Sequence, residues 1–195
     1  MNLTLVTAPT LRPVTLEEVK DHLRIDDTDG DSALSFLLDS AIAQVERDKG
    51  VKLITQTWDY KIDSFPSTEI RLPLMPLQSV TSVTYTDTDG DSQTWDSGEY
   101  TVHTGTMPGK ITLAYNESWP TIRDIDFAVT VRFICGYTSV ANVPDNLRHA
   151  ILLAVGTGDK FRENMVMASR GQEPMSLKGQ GSYDALIGMQ WKWWA

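Results

Sequence analysis

The hydrophobic period of this chain changes twice, near Gly50 and again near Pro144, and that double switch restricts what it can fold into. Before Gly50 the apolar residues recur at helical spacing. From Val51 to Tyr137 they alternate, and after Pro144 the helical spacing returns. A helix brings a side chain back to one face every 3.6 residues and a strand every second residue, so one chain must build helix, then sheet, then helix. The expected fold class is α+β: a small helical bundle with an antiparallel β insertion between the second and third main helices. Residues 1–50 are the first half of the helical part, residues 51–143 the β insertion, and residues 144–170 the second helical half. Residues 171–195 are a linker and an aromatic C-terminal tail.

The helical segments carry their own punctuation. Thr15-Leu16-Glu17-Glu18 spells a capping box, in which the Thr15 hydroxyl accepts from the Glu18 amide and the Glu18 carboxylate reaches back to Thr15. Val14 and Val19 complete it as a hydrophobic staple. The acidic run Asp26-Asp27-Thr28-Asp29-Gly30-Asp31 ends this helix, with Asp31 expected to cap the next. Leu34, Leu37, Leu38, Ala41, Ile42 and Val45 form the stripe of the second helix. Arg47 and Lys49 suit its negative end, and Gly50 stops it. A third helix is expected to begin at Pro144 and run through Leu147, Ala150, Ile151, Ala154 and Val155 towards Phe161, weakened by Gly156 and Gly158.

Strands are expected over Leu53–Asp63, Ile70–Leu72, Val80–Tyr85, Tyr100–Val102, Lys110–Tyr115 and Phe127–Ile134. Ile54, Trp58, Tyr60 and Ile62 share one face of the first. Asp89-Gly90 and Pro108-Gly109 are tight-turn signals between later ones.

Composition narrows the function classes. With 26 acidic against 17 basic residues the net charge is -9, which repels phosphate and argues against wrapping nucleic acid. Cys135 is the single cysteine, which excludes an intramolecular disulfide and a cysteine-based zinc site, and its apolar neighbours imply a buried thiol. No charged start with a long apolar run, and no apolar stretch near ~18 residues, is present, so the expectation is a soluble protein made in a reducing cytoplasm, without membrane contact.

Each candidate for chemistry fails on spacing. Asp27-Thr28-Asp29-Gly30 and Asp87-Thr88-Asp89-Gly90 resemble calcium loops, yet setting each glycine at the sixth position of such a loop puts Ile25 or Tyr85 at the first ligand position. They read as a helix-helix turn and a hairpin turn. Gly105-Thr106-Met107-Pro108-Gly109-Lys110-Ile111-Thr112 has its glycines one residue too close for a phosphate loop, and a strand follows where a helix is needed. His22, His103 and His149 show no metal spacing, although His22 and His149 are able to meet in the bundle. No nucleophile elbow is present. The expectation is a protein without catalytic, cofactor-binding or metal-binding residues. A hydrolase or metal-dependent enzyme with a site between bundle and sheet is the competing class, and it would need carboxylates and His converging in one pocket.

Residues 168–182 are rich in Gly, Ser, Gln and Pro and read as a linker. Beyond them Leu186, Ile187, Trp191 and Trp194 can share a helical face, while Trp193 points elsewhere. Together with Tyr183 these are the candidate partner-binding residues: Tyr183, Leu186, Ile187, Trp191, Trp193 and Trp194. Folding back onto the chain's own bundle is the alternative, because either arrangement covers the aromatics.

Taken in order, Thr15-Leu16-Glu17-Glu18 with His22-Leu23-Arg24-Ile25-Asp26, the Gln56 to Pro66 strand, Leu72-Pro73-Leu74-Met75-Pro76-Leu77, Trp119-Pro120, Gly136-Tyr137, and Val143-Pro144 with Arg148-His149-Ala150-Ile151 resemble the head-tail connector (adaptor) proteins of long-tailed bacteriophages. The resemblance spans about residues 12 to 165. It implies a structural virion protein that forms a dodecameric ring and joins the portal to the tail at the head-tail interface, assembled in the bacterial host cytoplasm. It also implies a tail-completion or tail-terminator protein as the partner on the far side, with DNA passing through the lumen without sequence-specific binding. Another tail-completion virion protein is the nearer alternative.

Overall fold

The computed structural model describes residues 2–160, which form two compact units: residues 2–11 with 50–139, and residues 12–49 with 140–160. Three α-helices and two antiparallel sheets among these residues make the α+β class that the two changes of period imply.

The helical unit holds α1 (Leu16–Leu23), α2 (Asp31–Lys49) and α3 (Asp145–Lys160), which pack on one another. The capping box at α1 is formed as expected: the Glu18 amide donates to Thr15 Oγ1 at 3.1 Å and the Thr15 amide to Glu18 Oε2 at 2.8 Å. Val14 and Val19, the two staple residues, are fully buried. Buried Leu34, Leu38, Ala41 and Val45 of α2 and Leu147, Ala150, Ile151 and Val155 of α3 follow the 3.6-residue period. Gly50, at φ 63°, takes the left-handed conformation that ends α2.

Two expected helix starts differ by one residue. Asp31 is the first residue of α2, and its carboxylate lies 2.9 Å from Lys20 Nζ, so a tertiary ion pair engages it. Pro144 sits just ahead of α3, its carbonyl accepting from the amides of Leu147 and Arg148. The glycines expected to weaken α3 lie within it: a Cβ at Gly158 would press on Leu37, and one at Gly156 would just touch Leu23. Gly156 thus sits against α1 and Gly158 against α2.

The β unit contains β1 (Asn2–Thr7), β2 (Gln56–Ile62), β3 (Glu69–Arg71), β4 (Leu77–Thr86), β5 (Ser92–Thr94), β6 (Tyr100–His103), β7 (Lys110–Leu113) and β8 (Val129–Cys135). The larger sheet has the order β1-β2-β8-β4-β5 and the smaller β3-β7-β6. Both contribute to one core, with Ile70 and Ile111 from the smaller sheet and Val83, Val131 and fully buried Phe133 from the larger. Cys135 is buried in it, as its neighbours imply.

Residues 1–50 are therefore not helical throughout. Asn2–Thr7 is a strand whose Leu3 and Leu5 stand opposite Tyr60 and Trp58 of β2. β5 is the second unexpected strand, and its Ser, Gln and Thr carry no apolar alternation. It forms because the turn after β4 folds it back onto Thr84–Thr86.

Candidate assembly surfaces

Four residues of the connector resemblance in the β unit, Met75, Pro76, Gly136 and Tyr137, meet at one junction with Lys52, Thr55 and Gln78. Met75 O accepts from the Lys52 amide at 2.6 Å and Pro76 O from the Gly136 amide at 2.9 Å. Gln78 Nε2 then donates to Thr55 Oγ1 at 2.8 Å and to Gly136 O at 2.7 Å, while the Thr55 amide donates to Tyr137 O at 3.1 Å. At φ 101° Gly136 passes so close to the carbonyl of Ile54 that any Cβ would collide with it. The chain thus crosses itself where segments near residues 52, 76 and 136 meet. Another pair of these residues is aromatic: Phe65 stacks on Trp119 with centroids 4.9 Å apart and also lies against Trp95.

In the helical unit Arg148 serves the same purpose, donating to Pro13 O at 3.2 Å and to the Glu18 carboxylate. The Glu18 carboxyl is held below its ordinary pKa first by the Thr15 backbone amide and then by the Arg148 charge. The motif residues are therefore framework, with roles in holding segments distant in sequence together.

The Asp87–Gly90 loop that imitates a calcium site is satisfied internally. Asp87 Oδ1 accepts from the amides of Asp89, Gly90 and Asp91, and Oδ2 accepts from Gln93, which keeps the carboxyl below its usual range. Those amides occupy the oxygens that a cation would need. The glycines of 105–112 lie on the turn between β6 and β7. His22 and His149 do meet, edge to face with ring centroids 6.5 Å apart, while His103 Nε2 sits 2.9 Å from Thr112 Oγ1. Among the described residues no group of three or more His, Cys, Asp or Glu side chains could hold a metal ion. No described helix is long and apolar enough to cross a membrane.

What the described residues do present is surface. One face of the larger sheet carries Thr57, Asp59 and Lys61 of β2, Thr130, Arg132 and Ile134 of β8, and Ser79, Ser82 and Thr84 of β4 in register. Arg132 grips Asp59 with two bonds of 2.8 Å at its centre. Single large apolar side chains stand in solvent elsewhere: Phe36 on α2 is 72% exposed, Met107 76% and Tyr115 91%. Sequence reading passed over these because an exposed aromatic has the same letter as a buried one. The six tail residues proposed from sequence for partner binding, Tyr183, Leu186, Ile187, Trp191, Trp193 and Trp194, lie outside the described residues, as do the linker and Phe161.

Comparison with known proteins gives a consistent set. Residues 13–102 match the family model described as phage gp6-like head-tail connector protein. Among solved structures, a chain from the neck of an empty gene transfer agent particle computed with C6 symmetry aligns with TM-score 0.75 and 23% identity, covering 96% of this chain and 93% of that one. A chain from the neck of the native particle computed with C12 symmetry gives TM-score 0.73, again at 23% identity and with 96% and 93% covered. A chain from the virion of the native particle gives 0.71 at the same identity and coverage. No curated protein matches. At this identity the structural likeness establishes the fold.

Proposed function

We infer that this chain is a head-tail connector, a structural subunit of the neck of a tailed phage or phage-derived particle. The match of residues 13–102 to the connector family carries the reading. It is supported by the residues concerned, which form the α1 cap and the Met75–Gln78 segment of the β junction. The same fold recurs in gene transfer agent necks.

In this role the helices act as one bundle with the β unit, apart from β1, inserted between α2 and α3. Copies close into a ring through head-to-tail contacts, and twelve is the number that suits a neck computed with C12 symmetry. The ring joins the portal on one side to a tail-completion or tail-terminator protein on the other, in the virion at the head-tail interface. DNA passes through the lumen without sequence-specific binding, kept from adhering by a chain of net charge -9. The part played is mechanical, with no catalytic, cofactor or metal site. Residues 183–195 attach the ring to the portal, their aromatic anchors making up for the cost of ordering a Gly-rich linker.

The test is assembly without this chain. Particles made in its absence should accumulate as DNA-filled heads and finished tails that do not join, and the chain supplied in trans should restore joining. Normal tailed particles formed without it would refute the role.

A further inference from the structure

β1 is an open edge of a kind that folded proteins ordinarily guard. It pairs with β2 on one side, and among the described residues its other side pairs with nothing. Natural edge strands are protected by charge, proline, a bulge, a covering element or brevity, and β1 has a bulge only at its end, between Leu5 and Thr7, which leaves Asn2–Leu5 in regular register. Residues 1–11 contain no charged side chain, and Pro9 lies beyond the strand. The strand is six residues long, and neighbouring Leu5 and Val6 are 44% and 43% exposed. Leu5 stands opposite Trp58 and Val6 is the extra residue of a bulge between Leu5 and Thr7, so both apolar side chains lie together near the end of the edge.

The other sheet edges differ. β5 has three residues set between Asp91 and Asp96, β3 carries Glu69 and Arg71, and β6 starts beside Glu99 and ends in His103. Copies of a chain with net charge -9 repel one another, so contact between copies is favoured where charge is missing. β1 is the longest uncharged strand edge among the described residues.

We propose that β1 is where a neighbouring copy of this chain docks, by adding an extended segment to its open edge. This rests on the ring reading above and specifies one of its contacts. Main-chain hydrogen bonds along the regular stretch Asn2–Leu5 would hold the added segment, whose end covers Leu5 and Val6. The neighbour offers a segment other than its own β1, since β1 against β1 is a two-fold contact that ends at a dimer, whereas a ring needs two different surfaces.

The experiment compares the wild-type chain with Leu5→Lys and Val6→Lys, using the full chain with and without portal. Ring formation is read by electron microscopy, and backbone amide exchange over residues 2–7 by hydrogen exchange. Half of the β1 amides should be protected at least about tenfold more in rings than in isolated subunits. Both variants should keep the melting temperature of the isolated subunit and lose rings. Wild-type rings whose β1 amides exchange as fast as in isolated subunits, variants that form rings at normal yield, or a two-fold dimer paired through β1 would each overturn the proposal while leaving the ring intact or undecided. A wild-type chain that forms no ring with or without portal removes the ring reading itself, and the β1 contact falls with it. The exchange measurement needs no substitution, so it stands even if a variant misfolds.

Discussion

Arg148 on α3 donates to the carboxylate of Glu18 on α1, although the two residues are 130 positions apart in the chain. The whole β unit apart from β1 is strung between them in sequence, so this pair, with Arg148 also bound to Pro13 O, closes the helical unit across it. Both side chains are partly solvated, which screens the pair. Arg148→Ala should therefore cost about 1 to 2 kcal/mol, counting one charged bond and one lost backbone contact. Urea unfolding of the variant checks this, and an unchanged midpoint would show that the closure contributes nothing.

Gly136→Ala should be much worse. The residue needs φ 101°, and an added Cβ meets the backbone of Ile54 and Thr55, which belongs to the junction and cannot swing aside as a side chain would. A loss of at least about 2 kcal/mol is expected. Gln78→Ala removes two hydrogen bonds at the same junction and should cost about 1 kcal/mol for each. Thermal melting followed by circular dichroism separates the two: a glycine variant as stable as wild type would contradict the described crossing.

Acid should weaken the fold in a definite window. Hydrogen bonding from Arg132 holds the Asp59 carboxyl below its ordinary pKa, and the Thr15 amide with Arg148 does so for Glu18. Both folded-state values lie below the unfolded ones, so this stability is fully present above the unfolded values and is lost as pH falls through the depressed folded ones, that is, below about pH 4. Asp59→Asn should flatten the acid limb of the stability curve and cost about 1 kcal/mol near neutrality. A variant with the wild-type acid limb would remove Asp59 from the account.

Calcium should leave the melting temperature unchanged. The carboxylate of Asp87 already accepts four hydrogen bonds within its own turn and the neighbouring Gln93. A native-state site filled to a hundred times its dissociation constant stabilises by about 2.7 kcal/mol, an effect of several degrees that a melt at millimolar calcium would reveal.

How much of this was legible in the sequence depended on distance along the chain. The Thr15–Glu18 box and the Gly50 stop were readable because a local pattern of a few residues specifies them. The α+β class was readable from the period of the apolar residues. β1 was not, because Leu5 finds its partner in Trp58, and six residues of mixed Thr and Leu carry too short a pattern. The cap expected of Asp31 was lost to Lys20, a tertiary contact that local rules do not contain. Residues of the family resemblance such as Gly136 could be picked out, yet their framework role depends on Gln78 and Thr55, which lie outside the resemblance and meet Gly136 only in the fold.

Removing residues 183–195 should separate docking from folding. The truncated subunit is expected to melt within a few degrees of the full chain and to lose stable attachment to the portal, and alanine at one central tryptophan should cost about 2 kcal/mol of binding. Unfolding of the truncated subunit, or normal attachment, would make Trp191, Trp193 and Trp194 packing residues.

The central claim is that copies of this chain form a ring that docks on a portal. Electron microscopy of the purified chain, alone and mixed with the portal of its own particle, tests it most directly. The account predicts a closed ring of twelve subunits seated coaxially on the portal with an open lumen. Subunits that stay monomeric and unattached at micromolar portal, or that form open filaments, would contradict it.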